Sequence, residues 1–315
     1  MRIVHRLHEL DLASPSFVTI GVFDGVHRGH QRIIEGLAEA AHAAGCGAVS
    51  ITFDPHPAVV LSDRPPLLLT TVGERIDLMA ALGLDALVIL PFTRDIVHTP
   101  AVGFVEDLIR HLHMAELWVG PDFTLGHRQE GNVPFLQRLG AQRGFEVRVI
   151  EPVVWQGEIV RSSRVRQALR RGDVEEANGC LGRPYRLSGV VIHGRGFGRD
   201  IGVPTANISP PPDRLIPASG VYACWAHTER WGKYPAAINI GTRPTFAARS
   251  STQGLTVEAH LLGFDQDLYD QVLSLDFVAR LRDERAYPTL NALVAQLRQD
   301  IAQTRAVLDA TRPSR

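Results

Sequence analysis

The chain has 315 residues, a formal net charge of −1, 45% hydrophobic residues and 21% charged residues. That length is more than one core usually serves, so two domains are expected. The near-neutral balance excludes a global basic field for nucleic-acid or membrane binding, and any polyanion site must be a local patch.

Up to about residue 155, short apolar runs alternate with helix-like stretches. The candidate strands are Phe17–Phe23, Ala48–Phe53, Ala86–Phe92, Leu117–Gly120 and Glu146–Trp155. In the helical stretch after the first of them, Ile33, Ile34, Leu37, Ala38 and Ala41 share one face. Strands alternating with helices predict a parallel sheet covered on both faces, with ligands at the carboxyl ends of its strands. "SRVRQALRRGDVEEANGCLGRPY" reads as helical with a break at Gly172 and is expected to close the first domain, giving domains 1–183 and 184–315. From Pro184 the pattern changes to short β-branched or aromatic runs punctuated by Gly and Pro, which predict an antiparallel sheet or small barrel. In the tail, Leu290, Leu293, Val294, Leu297, Ile301 and Leu308 fit one helix packed on it.

Cys46, Cys180 and Cys224 are far apart and form no CxxC, so neither a disulfide framework nor a zinc knuckle is suggested. "MRIVHRLHELDLASPS" lacks an apolar core long enough for a signal peptide, and no run approaches a membrane span. A cytoplasmic protein without a membrane or nucleic-acid partner is expected.

The stretch "GVFDGVHRGHQ" ends the first apolar run. Asp24, Gly25 and Gly29 supply tight turns, and the following helix offers unpaired N–H groups and a positive dipole end. His27, Arg28 and His30 add donors suited to a polyphosphate. A metal pair lacks a further nearby ligand, and histidines merely exposed at a helix start remain the other reading. "FDPHP" projects His56 from a proline-stiffened turn after the second strand. "VGPDFTLGHRQEGN" places Asp122, His127 and Arg128 in a Gly-bounded loop after the fourth. "RSSRVRQAL" opens a helix with Ser162 and Ser163 beside Arg161, Arg164 and Arg166; a plain serine cap competes with phosphate recognition there.

These strings, in this order, resemble the FMN adenylyltransferase half of bacterial bifunctional riboflavin kinase/FAD synthetases, and the likeness continues to the C-terminus. The resemblance implies a Rossmann-like nucleotidyltransferase domain followed by a riboflavin kinase-like antiparallel barrel with a terminal helix. It implies that His27 and His30 bind ATP phosphates and stabilise charge as the FMN phosphate attacks the α-phosphorus. It implies further ATP contacts from Gly21, Phe23, Asp24 and His56, from Asp122, and from Ser162, Ser163 and Arg166. Mg²⁺ is expected to arrive with the nucleotide.

In the second half, "GRGFGRDIGVPTANI" has neither dinucleotide-binding spacing nor a following helix pattern. A glycine-dense loop with Arg195 and Arg199 can bend N–H groups around phosphate, or be a plain β-connection. The string resembles the riboflavin kinase signature. That implies ATP contacts from Gly194, Gly198, Arg199, Gly202 and Pro204, with Thr205 and Asn207 holding the nucleotide's Mg²⁺. In "LTVEAHLLGF", Glu258 alternates with apolar neighbours, the position of an ordinary outward residue; the resemblance makes it the base for the ribityl hydroxyl. Asn239, Arg243 and Thr245 are weaker candidates, and Arg282 and Glu284 match a segment near the flavin. Arg161 and Ser163 depart from the family's usual Ser and Thr, and Ala286 and Pro288 from its usual pattern.

The expected activity is bifunctional: riboflavin and ATP give FMN, then FMN and ATP give FAD and pyrophosphate. A monofunctional adenylyltransferase with a flavin-binding barrel, or a non-enzymatic flavin or RNA sensor, stands as the alternative. The oligomeric state is not legible.

Overall fold

The computed structural model describes residues 1–10, 12–194, 202–242 and 254–311. Packing divides the chain into two compact units, Met1–Pro66 with Thr70–Arg161, and Leu67–Leu69 with Ser162–Arg315.

The first unit contains β1 (Arg2–Val4), β2 (Ser16–Ile20), α1 (Arg28–Ala43), β3 (Gly47–Asp54), α2 (Pro57–Leu61), α3 (Val72–Ala80), β4 (Ala86–Pro91), α4 (Arg94–His98), α5 (Ala101–Leu112) and β5 (Met114–Val119). A short hairpin, β6 (Thr124–Leu125) with β7 (Gly131–Asn132), precedes α6 (Val133–Arg143) and β8 (Glu146–Val149). A second hairpin joins β9 (Val154–Trp155) to β10 (Glu158–Ile159). The main sheet runs β1-β4-β3-β2-β5-β8, and every neighbouring pair is parallel.

Successive strand residues feed opposite faces of this sheet. Val18, Ile20, Val49 and Ile51 join Val105, Leu108 and Leu112 of α5 in one core. Phe17, Ala48, Leu87 and Ile89 join Ile34, Leu37, Ala38 and Ala41 of α1 in the other. Strand order reverses at β2, with β3 and β4 added on one side and β5 and β8 on the other. Such a reversal opens a crevice outside the carboxyl ends of the strands. Three expected strands differ. The fourth, expected at Leu117–Gly120, already begins at Met114. The first ends at Ile20, because Phe23 has φ 51° and already belongs to a turn. The last is split, since Pro152 between β8 and β9 cannot donate to a ladder.

The second unit opens with α7 (Ser162–Arg171) and α8 (Val174–Leu181), broken at Gly172, which has φ 78°. Its strands are β11 (Tyr185–Ile192), β12 (Ala206–Ser209), β13 (Gly220–Thr228), β14 (Gly232–Thr242), β15 (Leu255–Leu261) and β16 (Val272–Arg282). They close into a barrel in the order β11-β12-β15-β14-β13-β16, every pair antiparallel. Closure leaves no free edge. Along β11, Tyr185, Leu187, Gly189 and Val191 are buried and alternate with more exposed residues, as period two requires.

The expected boundary at 183/184 differs from the packing boundary at 161/162. The reason is long-range bonding: the Asn178 amide on α8 donates to Phe277 O (2.8 Å) and accepts from Tyr185 N–H (2.7 Å), tying α8 to β16 and β11. The terminal helix, Leu290–Ala310, buries Asp300, Thr304 and Leu308, while Leu290 at its start is 52% exposed. Its most buried line therefore contains two polar residues that an apolar count overlooks.

Candidate functional sites

In the first unit the loop after β2 is wound by left-handed residues. Phe23, Gly25 and Val26 have φ of 51°, 83° and 40°. For a β-branched residue such as Val26 this is a strained conformation, kept only where the surroundings over-determine it. They do. The Asp24 carboxylate, 2% exposed, accepts from Thr70 N–H (3.0 Å) and from the Thr70 hydroxyl (3.1 Å), whose oxygen accepts from Gly25 N–H (3.0 Å). Gln31 Nε2 donates to Val26 O (2.7 Å). Arg75, 5% exposed on α3, donates to Val22 O (2.7 Å) and Phe53 O (3.0 Å), clamping the loop after β2 to the end of β3. The sequence reading missed Arg75; no local pattern marks a helix arginine as a clamp.

This loop delivers His27 as the N-cap of α1. Its Nδ1 accepts from His30 N–H (3.3 Å), so the neutral ring carries its proton on Nε2. The His27 and His30 rings stack with centroids 3.6 Å apart, and Phe23 meets His30 edge-on at 5.1 Å. His30 Nδ1 is buried without a hydrogen-bond partner. Burial, then the nearby His27 and Arg75, hold the His30 imidazole well below the usual histidine value, so it is neutral at pH 7. The result is two stacked imidazoles at a helix N-terminus beside Arg28, whose guanidinium lies 4.8 Å from the Trp155 ring. The arrangement can hold phosphate oxygens and neutralise charge developing on them.

Asp24 and Phe23 support this loop from within, Phe23 being 3% exposed. Gly21 is packed against the Phe23 ring, where a Cβ would come within 2.9 Å. His56 caps α2 at the neighbouring β3 end, its Nδ1 accepting from Ala58 N–H (3.1 Å). Asp122 follows β5 and pairs with Arg161 at 2.8 Å in an exposed ion pair. His127 lies in a one-turn helix, its Nδ1 3.2 Å from Val97 O, and Arg128 has φ 51°. Ser162, Ser163 and Arg166 fall in the second unit, where Ser162 and Ser163 start α7 and Arg166 Nε donates to Leu67 O (2.8 Å). Arg164 is paired with Glu176 at 2.9 Å.

On the barrel, strand register gathers residues far apart in sequence. Asn207 on β12 and Asn239 on β14 both stand directly opposite Glu258 on β15. Residues opposite each other share a face, so the three side chains form one row. Their neighbours Ile208, Ile238, Ile240, Val257 and Ala259 are buried, which puts the row on the outer face. Gly194, just beyond β11, has no room for a side chain, since a Cβ would come within 2.8 Å of Asn207 Cγ. Gly241 does the same for Glu284, whose Cδ would lie 2.8 Å from a Cβ there. Gly241 is two residues from Asn239, so Glu284 lies over the same face, about 7 Å along the strand. Pro204 and Thr205 are exposed before β12, and Pro204 O accepts from His260 Nδ1 (2.7 Å). Gly202 has φ 75°. Arg282 is bound to Asp300, with Nε 2.9 Å from one carboxylate oxygen and Nη2 2.6 Å from the other. Arg195, Gly198, Arg199, Arg243 and Thr245 lie outside the described residues.

The outer row offers amide and carboxylate oxygens of the kind Mg²⁺ accepts, and Gly194 keeps the space before the Asn207 amide clear. Those donors fit a nucleotide-borne cation. Among the described residues no group of three His, Cys, Asp or Glu side chains forms a metal site.

Residues 10–164 match the FAD synthetase family and residues 181–308 the riboflavin kinase family. The chain is 33% identical over 318 residues to the bifunctional riboflavin kinase/FMN adenylyltransferase of Escherichia coli (strain K12), covering 100% of both chains. It is 35% identical over 309 residues to the protein of that description from Pseudomonas fluorescens, covering 98% of each. A solved Streptococcus pneumoniae structure described as a macrolide-efflux protein aligns with TM-score 0.86 at 29% identity, over 96% of this chain and 98% of that one. Among the described residues no helix is long and apolar enough to cross a membrane. A parallel-sheet unit of the first kind and a barrel of the second thus occur in one chain, in the order and over the full length of these relatives: the chain belongs to the bifunctional riboflavin kinase/FMN adenylyltransferase family and is an enzyme with both transferase domains.

Proposed function

We propose that the barrel unit transfers the γ-phosphoryl group of ATP to the terminal ribityl hydroxyl of riboflavin, and that the parallel-sheet unit joins the resulting FMN to the AMP moiety of a second ATP. The observation that carries this reading is a phosphate-directed constellation in each unit: His27 and His30 at the start of α1, and Asn207 with Glu258 on one barrel face. In the kinase step the Glu258 carboxylate takes the hydroxyl proton, the oxygen attacks the γ-phosphorus, and ADP leaves. Thr205 and Asn207 would hold the Mg²⁺ that arrives with ATP, and that ion would supply neutralisation of phosphate charge. Gly194 and Gly202 contact the nucleotide, and Glu284 the flavin.

In the adenylyl step an FMN phosphate oxygen attacks the α-phosphorus and pyrophosphate leaves. His27 and His30 donate to the phosphate oxygens, while Asp24, Phe23 and Arg75 keep the loop in its strained form. No protein nucleophile takes part, so positioning and electrostatic stabilisation supply the acceleration. His56 and Asp122 line the neighbouring strand ends.

A chromatographic time course of riboflavin with ATP and Mg²⁺ tests both assignments. The unaltered protein is expected to pass through FMN to FAD, His27→Ala/His30→Ala to stop at FMN, and Glu258→Ala to convert only supplied FMN. Kinase turnover surviving in Glu258→Ala would remove that residue from its role. If riboflavin alone triggers no ATP consumption, the barrel is only a binding module.

A further inference from the structure

The terminal helix carries an unexpected buried charge. Asp300 is 2% exposed, and both its oxygens are engaged by the Arg282 guanidinium at 2.9 and 2.6 Å. Gln296 Nε2 adds a third bond to Asp300 Oδ1 at 2.9 Å, and the Thr304 hydroxyl donates to Asp300 O at 2.8 Å. Burying such a pair is a poor route to stability, because desolvation offsets most of the Coulomb attraction and an apolar pair would serve as well. What a bidentate pair supplies is geometry: the planar guanidinium is held in position and orientation at once.

The geometry is handed to the kinase face. Arg282 ends β16, and its Nη1 donates to Asp283 O (2.9 Å), fixing the backbone that leads into Glu284. Glu284 Oε2 then accepts from the Ser219 hydroxyl (3.0 Å), and Ser219 O accepts from Arg280 (2.6 Å). Glu284 comes to rest over Gly241, on the face that carries Asn239 and Glu258. We propose that Asp300 is a positioning residue of the kinase: it touches no substrate, and through Arg282 it sets where the Glu284 carboxylate stands for the flavin. This rests on the kinase reading above.

The test is steady-state riboflavin phosphorylation by the full chain, with FMN adenylylation by the other unit as an internal control. Asp300→Asn keeps the side-chain volume but weakens the bidentate pair. It is expected to raise KM for riboflavin about tenfold with kcat within about threefold, adenylylation being unchanged. In a Glu284→Gln background Asp300→Asn should add little, because both changes act through one carboxylate. Gly241→Ala pushes Glu284 from the other side with Asp300 intact, and should reproduce the selective rise in KM if Asp300→Asn does not fold. Unchanged KM in a folded Asp300→Asn or in Gly241→Ala, or full additivity with Glu284→Gln, would overturn the proposal. Absence of riboflavin phosphorylation by the unaltered protein, with adenylylation intact, would instead overturn the kinase reading, and this inference with it.

Discussion

Gly194→Ala is a minimal perturbation of the proposed kinase face. Gly194 is not among the glycines with positive φ, so alanine suits the backbone and only the added methyl matters. That methyl would stand 2.8 Å from Asn207 Cγ and 3.2 Å from Oδ1, too close to remain. The amide must swing away from its place opposite Glu258. A polar contact to a charged partner is worth about 1.5–3 kcal/mol, so under the proposal that Asn207 holds nucleotide-borne Mg²⁺, losing that contact is expected to raise KM for ATP roughly 10- to 150-fold. If the amide resists instead, overpacking costs about 1–3 kcal/mol and appears as a lower Tm. The assay is kinase initial rate against ATP concentration at saturating riboflavin, with a thermal melt of each variant. In an Asn207→Ala background Gly194→Ala should cost almost nothing further, since the methyl then has room. Wild-type KM and Tm in Gly194→Ala, or an undiminished penalty in the Asn207→Ala background, would refute the reasoning.

The His30 imidazole is held well below the usual histidine value by burial, so the unfolded chain binds that proton near pH 6.5 and the folded chain only at lower pH. Stability from this group is therefore complete above about pH 6.5 and is lost as pH falls towards the folded value. Urea melts between pH 7.5 and 5 should show a shallower acid loss in His30→Gln than in the unaltered protein; equal slopes would contradict the burial argument. Arg75→Met leaves Val22 O and Phe53 O without their charged donor and should destabilise the first unit by about 2–4 kcal/mol, lowering FMN adenylylation while sparing riboflavin phosphorylation. The Arg161–Asp122 pair is 55% and 67% exposed, so Arg161→Ala should change stability by less than about 1 kcal/mol; a larger shift in Tm would mean that the pair is not solvent-screened.

Much of the molecule was legible because its signals are local. The alternation of strands with helices up to about residue 155 predicted a sheet covered on both faces, and its strands do feed two separate cores, Phe17 and Ala48 one, Val18 and Val49 the other. "GVFDGVHRGHQ" announced a tight turn into a helix, and His27 caps that helix. Here the Asp and Gly residues mark the turn within a few positions, while its strained form is held by Thr70 and Arg75 from farther along the chain. Glu258 was singled out by its family string; its alternation in a strand suited an outward surface residue equally well. What distinguishes it is the register that sets Asn207 and Asn239 on either side.

Amino-acid order by itself determined the element types, the change from a parallel to an antiparallel pattern, and the place of the turn before the histidines, since each follows from periodicity or turn residues within a short window. Only the tertiary structure decided the rest. Arg75 clamps Val22 and Phe53, residues 53 and 22 positions away, and Asp300 meets Arg282 across 18. Asn178 reaches Phe277 across 99 residues and draws α7 and α8 to the barrel. Such partners carry no mutual signature in a single sequence, because a buried arginine or aspartate reads as an ordinary surface charge until packing removes its water and bonding replaces it.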